Sequence, residues 1–199
     1  YARIISNIIE DNDDQAIYVY GSHHVDIKNN QLENNDYGIL LYHANFTQMH
    51  NNEIKDTDVS GIKFVSTNYC NITSSTIKDN NGRGLWFRAN SNSNNLRDTI
   101  SSGNTDDDIE LESSKRNTGF NFTFGGGKIS VDQNSDFRVM NSLNIKFVNG
   151  SSAFAGVDLE LFNYDMVLYA SPFYGGNDGV SGSNGFVDEE LTVAYEIYN

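Results

Sequence analysis

Residues 25–45 read VDIKNNQLENNDYGILLYHAN, and this stretch recurs. From Gln48 the chain reads QMHNNEIKDTDVSGIKFVST, and from Asn71 NITSSTIKDNNGRGLWFRAN. A worn copy precedes them (RIISNIIEDNDDQAIYVYG, from Arg3) and another follows (NLRDTISSGNTDDDIELES, from Asn95). A period of about 22–24 residues is in the range of repeat architectures. Aligned, the copies give four apolar columns. The first is Ile4, Ile27, Met49, Ile72, Leu96, and the second Ile9, Leu32, Ile54, Ile77, Ile100. The third is Ile17, Ile39, Ile62, Leu85, Ile109, and the fourth Val19, Leu41, Phe64, Phe87, Leu111. Inside a copy the apolar residues fall in short alternating pairs, which is the period of a strand and not of a helix.

Polar residues stack in the same register. Asn7, Asn30, Asn52 and Ser75 form one column, and Asn12, Asn35, Thr57 and Asn80 another. An amide repeated at one position reads as a ladder of side chains bonded from rung to rung. Ala16, Gly38, Gly61 or Gly84 precedes the third apolar column, where a corner must be tight. Short strands wound about one axis, with like residues stacked, make a parallel β-helix of about five rungs, and the crossover rule makes it right-handed. No rung stands alone: four inward side chains give roughly 6–12 kcal/mol, while ordering one rung costs roughly 1–2 kcal/mol per residue. Neighbouring rungs must share burial and hydrogen bonds.

The pattern of Ile27, Asn30, Leu32, Asn35, Gly38, Ile39 and Leu41 resembles the parallel β-helix repeat family. That family includes pectin lyase-like proteins, alginate epimerases and NosD-like surface proteins. The resemblance covers residues 1–112 and implies the fold; one such fold carries many functions.

From Ser113 the register breaks. Over 113–137, Phe120, Phe122 and Phe124 alternate, as do Ile129 and Val131, with Gly125, Gly126 and Gly127 between them. This predicts a strand pair that closes the end of the coil, where apolar side chains and strand edges would otherwise be bare. Over 138–199 the alternating runs at Leu143–Phe147, Val157–Leu161, Met166–Tyr169 and Leu191–Tyr195, separated by turn signals, predict a small antiparallel β-sandwich. The order of these runs resembles the carboxypeptidase-regulatory-like or Cna-B-type sandwich that follows β-helices in archaeal surface proteins. Some such modules carry Lys–Asn isopeptide links. Lys146, between Ile145 and Phe147, is expected to point outward, and no such link is expected.

The chain has 199 residues and a formal net charge of -14. An acidic chain excludes nucleic acid as a partner, which needs basic patches. No apolar run is long enough to span a membrane. The chain begins inside a repeat and reads as a piece of a longer one. Its one cysteine, Cys70, has no internal partner and is expected to be buried. Sequons stand at Asn45, Asn71, Asn121 and Asn149, about as many as chance gives in so Asn-rich a chain.

Four groups are candidates for function. Tyr18, Tyr20, Tyr42 and Trp86 lie outward on the third strands, with Lys63 and Arg88 nearby, and exposed aromatic faces beside polar groups suit sugar rings or packing partners. Asp106, Asp107, Asp108 and Glu110 crowd the last rung, a dense set of hard oxygen ligands that suits Ca2+. Histidines 23, 24, 43 and 50 are candidate transition-metal ligands, in line with the copper-linked NosD resemblance, but no Cys or Met joins them at ligand spacing. Glu33 and Lys55 should pair on adjacent rungs. Alginate epimerase-type sites rest on an Asp-Pro-His-type cluster, and no Asp-Pro occurs here. The expected function is that of a non-enzymatic segment of a secreted or cell-surface protein, archaeal in type. It would be a rigid structural, assembly or adhesion rod whose partners are extracellular polysaccharide or other surface subunits. The alternative is a polysaccharide lyase, epimerase or hydrolase with catalytic rungs partly outside this segment.

Overall fold

A computed structural model describes residues 1–125, 128–143, 146–153, 155–156, 183 and 191–198. Two compact units are distinguished: residues 1–139 with 196–199, and residues 140–195.

The first unit is a parallel β-helix, each turn made of three short strands. The first strands are Arg3–Ile5, Asp26–Lys28, Gln48–His50, Asn71–Thr73, Asn95–Arg97 and Asn117–Phe120, each pairing in parallel with the next. Second and third strands are continuous in the first two turns, Ile8–Tyr20 and Gln31–Tyr42. Beyond those turns they separate, into Glu53–Lys55 and Ser60–Val65, then Thr76–Lys78 and Arg83–Arg88, then Ile100–Ser102 and Ile109–Glu112. The expected register is observed: Ile39 is opposite Ile62, Ile62 opposite Leu85 and Leu85 opposite Ile109. Ile39, Ile62, Leu85 and Ile109 are all 0% exposed. The fourth column stacks its rings inside, with Phe64 and Phe87 4.4 Å apart and nearly parallel. Alternation therefore buries one side of every strand against the axis, and each fully buried side chain contributes about 1.5–3 kcal/mol.

Two expectations are corrected. Ser101, not Ile100, continues the second column: Ser101 pairs with Ile77 and is buried, while Ile100 pairs with Thr76 and is exposed. First and second columns are five residues apart in the earlier turns, and this spacing overrides the apolar character of Ile100. Residues 113–137 form no closing strand pair. They make a sixth turn, in which Asn117–Phe120, Thr123–Phe124 and Ile129–Val131 pair in parallel with the strands of the fifth. Gly119 stands where the first column would carry a large side chain, and Phe122 and Phe137 fill the space it leaves. Gly126 and Gly127 lie outside the described residues.

The amide ladder exists and is directional. Asn7 and Asn30 each donate from backbone and side chain to the side-chain oxygen one turn later, on Asn30 and Asn52 respectively. The second ladder runs Asn80 to Asn104 to Asp108, whose carboxylate accepts from the Asn104 backbone and amide and, through Oδ2, from Gly125. The sequence columns did not include a third buried ladder, at the remaining corner. There Ala44, Thr67, Ser91 and Ser114 backbone N–H groups donate to the hydroxyls of Thr67, Ser91, Ser114 and Ser135. Among the described residues every buried side-chain polar atom has a partner, which is what makes polar stacks tolerable inside a β-helix. Gly61 is fixed by close approach: a Cβ there would strike the Ile77 side chain and come within 2.9 Å of the Gly84 carbonyl oxygen.

The sandwich expected over 138–199 falls largely outside the described residues. Among the described residues, Asp136–Leu143 and Leu191–Tyr198 are strands. Val148–Asn149 pairs antiparallel with Ser152–Ala153 around a turn at Gly150. Lys146 is exposed.

Candidate functional site

Outward positions on a strand stack as faithfully as inward ones. On the third strands this places Tyr18 opposite Leu40, Leu40 opposite Lys63, Lys63 opposite Trp86 and Trp86 opposite Glu110. The flanking column is Tyr20, Tyr42, Val65, Arg88 and Glu112. Tyr18 and Tyr20 are 50% and 64% exposed, and Tyr20 lies on half-buried Tyr42 with ring centres 5.4 Å apart. These three rings form the open aromatic surface that the sequence implied.

Trp86 does not extend it. The ring is only 9% exposed. Lys63 Nζ lies 4.0 Å from the ring centre, and the Arg83 and Arg88 guanidinium carbons 4.4 and 4.7 Å. Trp86 Nε1 donates to Glu112 Oε1. Trp86 is therefore not the exposed ring expected: cations cover it. The physical reason is the ring's negative face, which attracts ammonium and guanidinium groups within about 6 Å. Lys63 also sits 5.1 Å from the Tyr37 ring. Burial, followed by the repulsion of Arg88 and Arg83, lowers its pKa from the usual lysine value.

The acidic candidates separate. Arg83 bonds Glu110 through Nε and approaches Asp106 at 3.8 Å. Arg88 approaches Glu112 at 3.4 Å. Asp108 is turned inward and buried, its oxygens engaged by Asn104 and Gly125. Asp106, Asp107, Asp108 and Glu110 therefore present no common set of free oxygens for Ca2+. Among the described residues no three His, Cys, Asp or Glu side chains are grouped to hold a metal ion. The histidines are dispersed as well: His23 Nδ1 accepts from Asn45 N–H, His50 Nδ1 bonds Thr73, His43 meets Tyr42 edge-on and His24 stacks on Phe46. Glu33 and Lys55 pair at 2.9 Å on the surface. Cys70 is buried beneath the Ala44 carbonyl, and desolvation pushes its thiol up to about 11.

A second aromatic surface was missed by the strand-based reading. His24, Phe46 and Tyr69 stack at successive corners, 5.0 and 5.3 Å apart, with Phe46 and Tyr69 42% and 52% exposed. Their spacing in the sequence is one turn. Alternation arguments ignore corners, so the signal was present but unread.

Solved structures share the coil. A double mutant of the periplasmic alginate epimerase AlgG superposes with a TM-score of 0.61 at 20% identity, over 71% of this chain and 36% of that one. AlgG itself gives a TM-score of 0.56 at 21% identity, over 60% of this chain and 29% of that one. Alginate lyase from Paenibacillus sp. str. FPU-7 gives 0.55 at 20% identity, over 63% of this chain and 48% of that one. This chain thus spans less than half of each. No curated protein matches the sequence. No helix among the described residues is long and apolar enough to cross a membrane. The family model for a right-handed β-helix region matches residues 1–155. With that match, the six-turn coil and its stacked columns, this chain belongs to the right-handed β-helix family.

Proposed function

We propose that the chain is a non-enzymatic segment of a secreted or cell-surface protein that contacts a polysaccharide along the outward side of its third strands. One observation carries this reading. Tyr18, Tyr20 and Tyr42 form an open aromatic surface on the same sheet face as the Lys63–Trp86–Arg88 cluster. Aromatic faces stack on the apolar faces of sugars, and the adjoining Lys63, Arg83 and Arg88 donate hydrogen bonds to their oxygens. The stacked turns hold these groups in a line without a mobile loop, so little entropy is lost on binding. A structural or assembly role draws on the same rigid repeat. A glycan array probed with the intact chain tests the reading. Tyr20→Ala with Tyr42→Ala should abolish the signal from neutral glycans while the β-sheet spectrum stays. Unchanged binding would remove the face from consideration.

The alternative, an enzyme acting on polysaccharide, draws support from the names of the structural neighbours, an epimerase and a lyase. It also draws on Lys63, an ammonium destabilised between two rings and beside two guanidinium groups. Such a lysine gives up its proton more readily and suits proton abstraction. Incubation with uronate polymers separates the readings: appearance of unsaturated or epimerised product, lost in Lys63→Met, establishes the enzyme.

A further inference from the structure

The corner that follows each third strand repeats one backbone position, at His24, Phe46, Tyr69, Ser93 and Arg116. All five are left-handed, with φ of 57, 59, 58, 57 and 58°. Phe46, Tyr69 and Ser93 N–H groups each donate to the next turn, to Asn68, Asn92 and Lys115 carbonyls. The five therefore stand above one another, about 4.8 Å apart. Rings occupy the first three places, with tilts of only 11° and 9°. At Ser93 the ladder of rings stops. The face of Tyr69 turned away from Phe46 is left over a small side chain, and one turn further comes a guanidinium, Arg116.

Beside this step lies a hollow of about 480 Å³, lined by Asn90, Asn92, Ser113, Lys115, Arg116 and Asn134. In a chain of net charge -14 its lining has, among the described residues, two exposed cations and no carboxylate. Among the described residues neither Lys115 nor Arg116 is in an ion pair. Two carboxylates border it and are occupied by hydrogen bonds: Asp132 accepts from Ser113, Asn134 and Ser135 and also feels the Lys115 charge, and Asp136 accepts from the Arg116 backbone N–H. Three amide side chains and a hydroxyl complete a lining suited to a polyhydroxylated ring more than to a purely aromatic one.

We propose that this corner is a second binding site, separate from the third-strand face, and that it takes one sugar unit bearing an anionic group. The sugar's apolar face lies on Tyr69 above Ser93. Its carboxylate or sulfate meets Lys115 and Arg116, and its hydroxyls meet Asn90, Asn92 and Asn134. The site does not depend on the reading of the third-strand face.

Saturation-transfer NMR and calorimetry on the intact chain test it, with glucuronic acid, galacturonic acid and glucose 6-sulfate as probes and glucose and benzoate as controls. At least one acidic sugar should bind about tenfold more tightly than glucose and benzoate, and the affinity should fall severalfold between about 50 and about 500 mM salt. Ser93→Tyr continues the ring ladder into the step and should abolish binding. Tyr69→Ala should weaken the acidic sugar about tenfold, and Arg116→Gln should weaken it while leaving glucose unchanged. Tyr20→Ala with Tyr42→Ala should leave this binding intact, which separates failure of this site from failure of the face. The proposal is overturned if no acidic sugar binds, if benzoate binds best, or if binding survives in folded Ser93→Tyr. Should Ser93→Tyr not fold, unaltered binding in both Tyr69→Ala and Arg116→Gln overturns it equally.

Discussion

Two ring stacks in this molecule have nearly the same geometry and opposite settings. Phe64 and Phe87 face each other across one turn inside the coil, at 4.4 Å and with no exposure. Phe46 and Tyr69 face each other across the same turn outside it, at 5.3 Å and half exposed. The repeat stacks whatever it is given, at every position of the turn. What differs is the solvent. The inner pair removes its whole surface from water and contributes to stability. The outer pair keeps one side wet, so its contribution is small and its faces and edges remain open to a ligand.

The widest gap between the two settings should appear on truncation. Phe87→Ala is expected to cost about 3–5 kcal/mol, because the close-packed column cannot collapse around the space. A chemical melt reads this directly, and a loss near that of a surface mutant would break the contrast. Alkaline titration sharpens it from another buried position. The thiol of Cys70 rises from an ordinary 9.0 to about 11 in the folded chain. Its contribution is therefore complete below pH 9 and is lost as the pH rises through 11. The stability difference between the parent and Cys70→Ala should shrink over that interval by up to roughly 3 kcal/mol. A thiol reagent at pH 8 should not label the native chain.

Asn80→Ala should cost about 1–3 kcal/mol. It strands the Thr57 N–H and hydroxyl, which both donate to the Asn80 oxygen in a buried place. Asn80→Asp, which keeps the acceptor, should recover the Thr57 bonds and lose only the side-chain bond to Asn104, since the backbone N–H still donates there. The smallest effect belongs to the outer pair: Phe46→Ala should cost only about 0.5–1.5 kcal/mol. A loss as large as that of Phe87→Ala would show that the outer rings are part of the core after all.

The inner columns were legible because alternation and period reinforce one another: Ile39, Ile62 and Leu85 could hardly be aligned otherwise. The errors arose where one residue contradicted the spacing. Ile100 fits the second column by its apolar character, but five residues after Leu96 comes Ser101. Gly119 hid the sixth turn, because Phe122 and Phe137 supply its missing bulk from elsewhere in the turn. Alternation places Trp86 on the outward side of its strand but does not reveal the cations that cover it. Strand register places Lys63 and Arg88 beside the ring, while the folding of long side chains over it depends on their conformations. The same holds for Asp108, one of several acidic residues in a row, which only the turn of the backbone selects for burial.

Asp108 carries one more consequence. Asn80 and Asn104 pass hydrogens toward higher residue numbers, the second of them to the carboxylate. A carboxylate has none to pass on. A duplicated turn spliced in before it would find a compatible neighbour on both sides, whereas one spliced in after it would inherit an acceptor where a giver is required. That single acid works as a full stop, marking how far this spine can be lengthened by copying its own units.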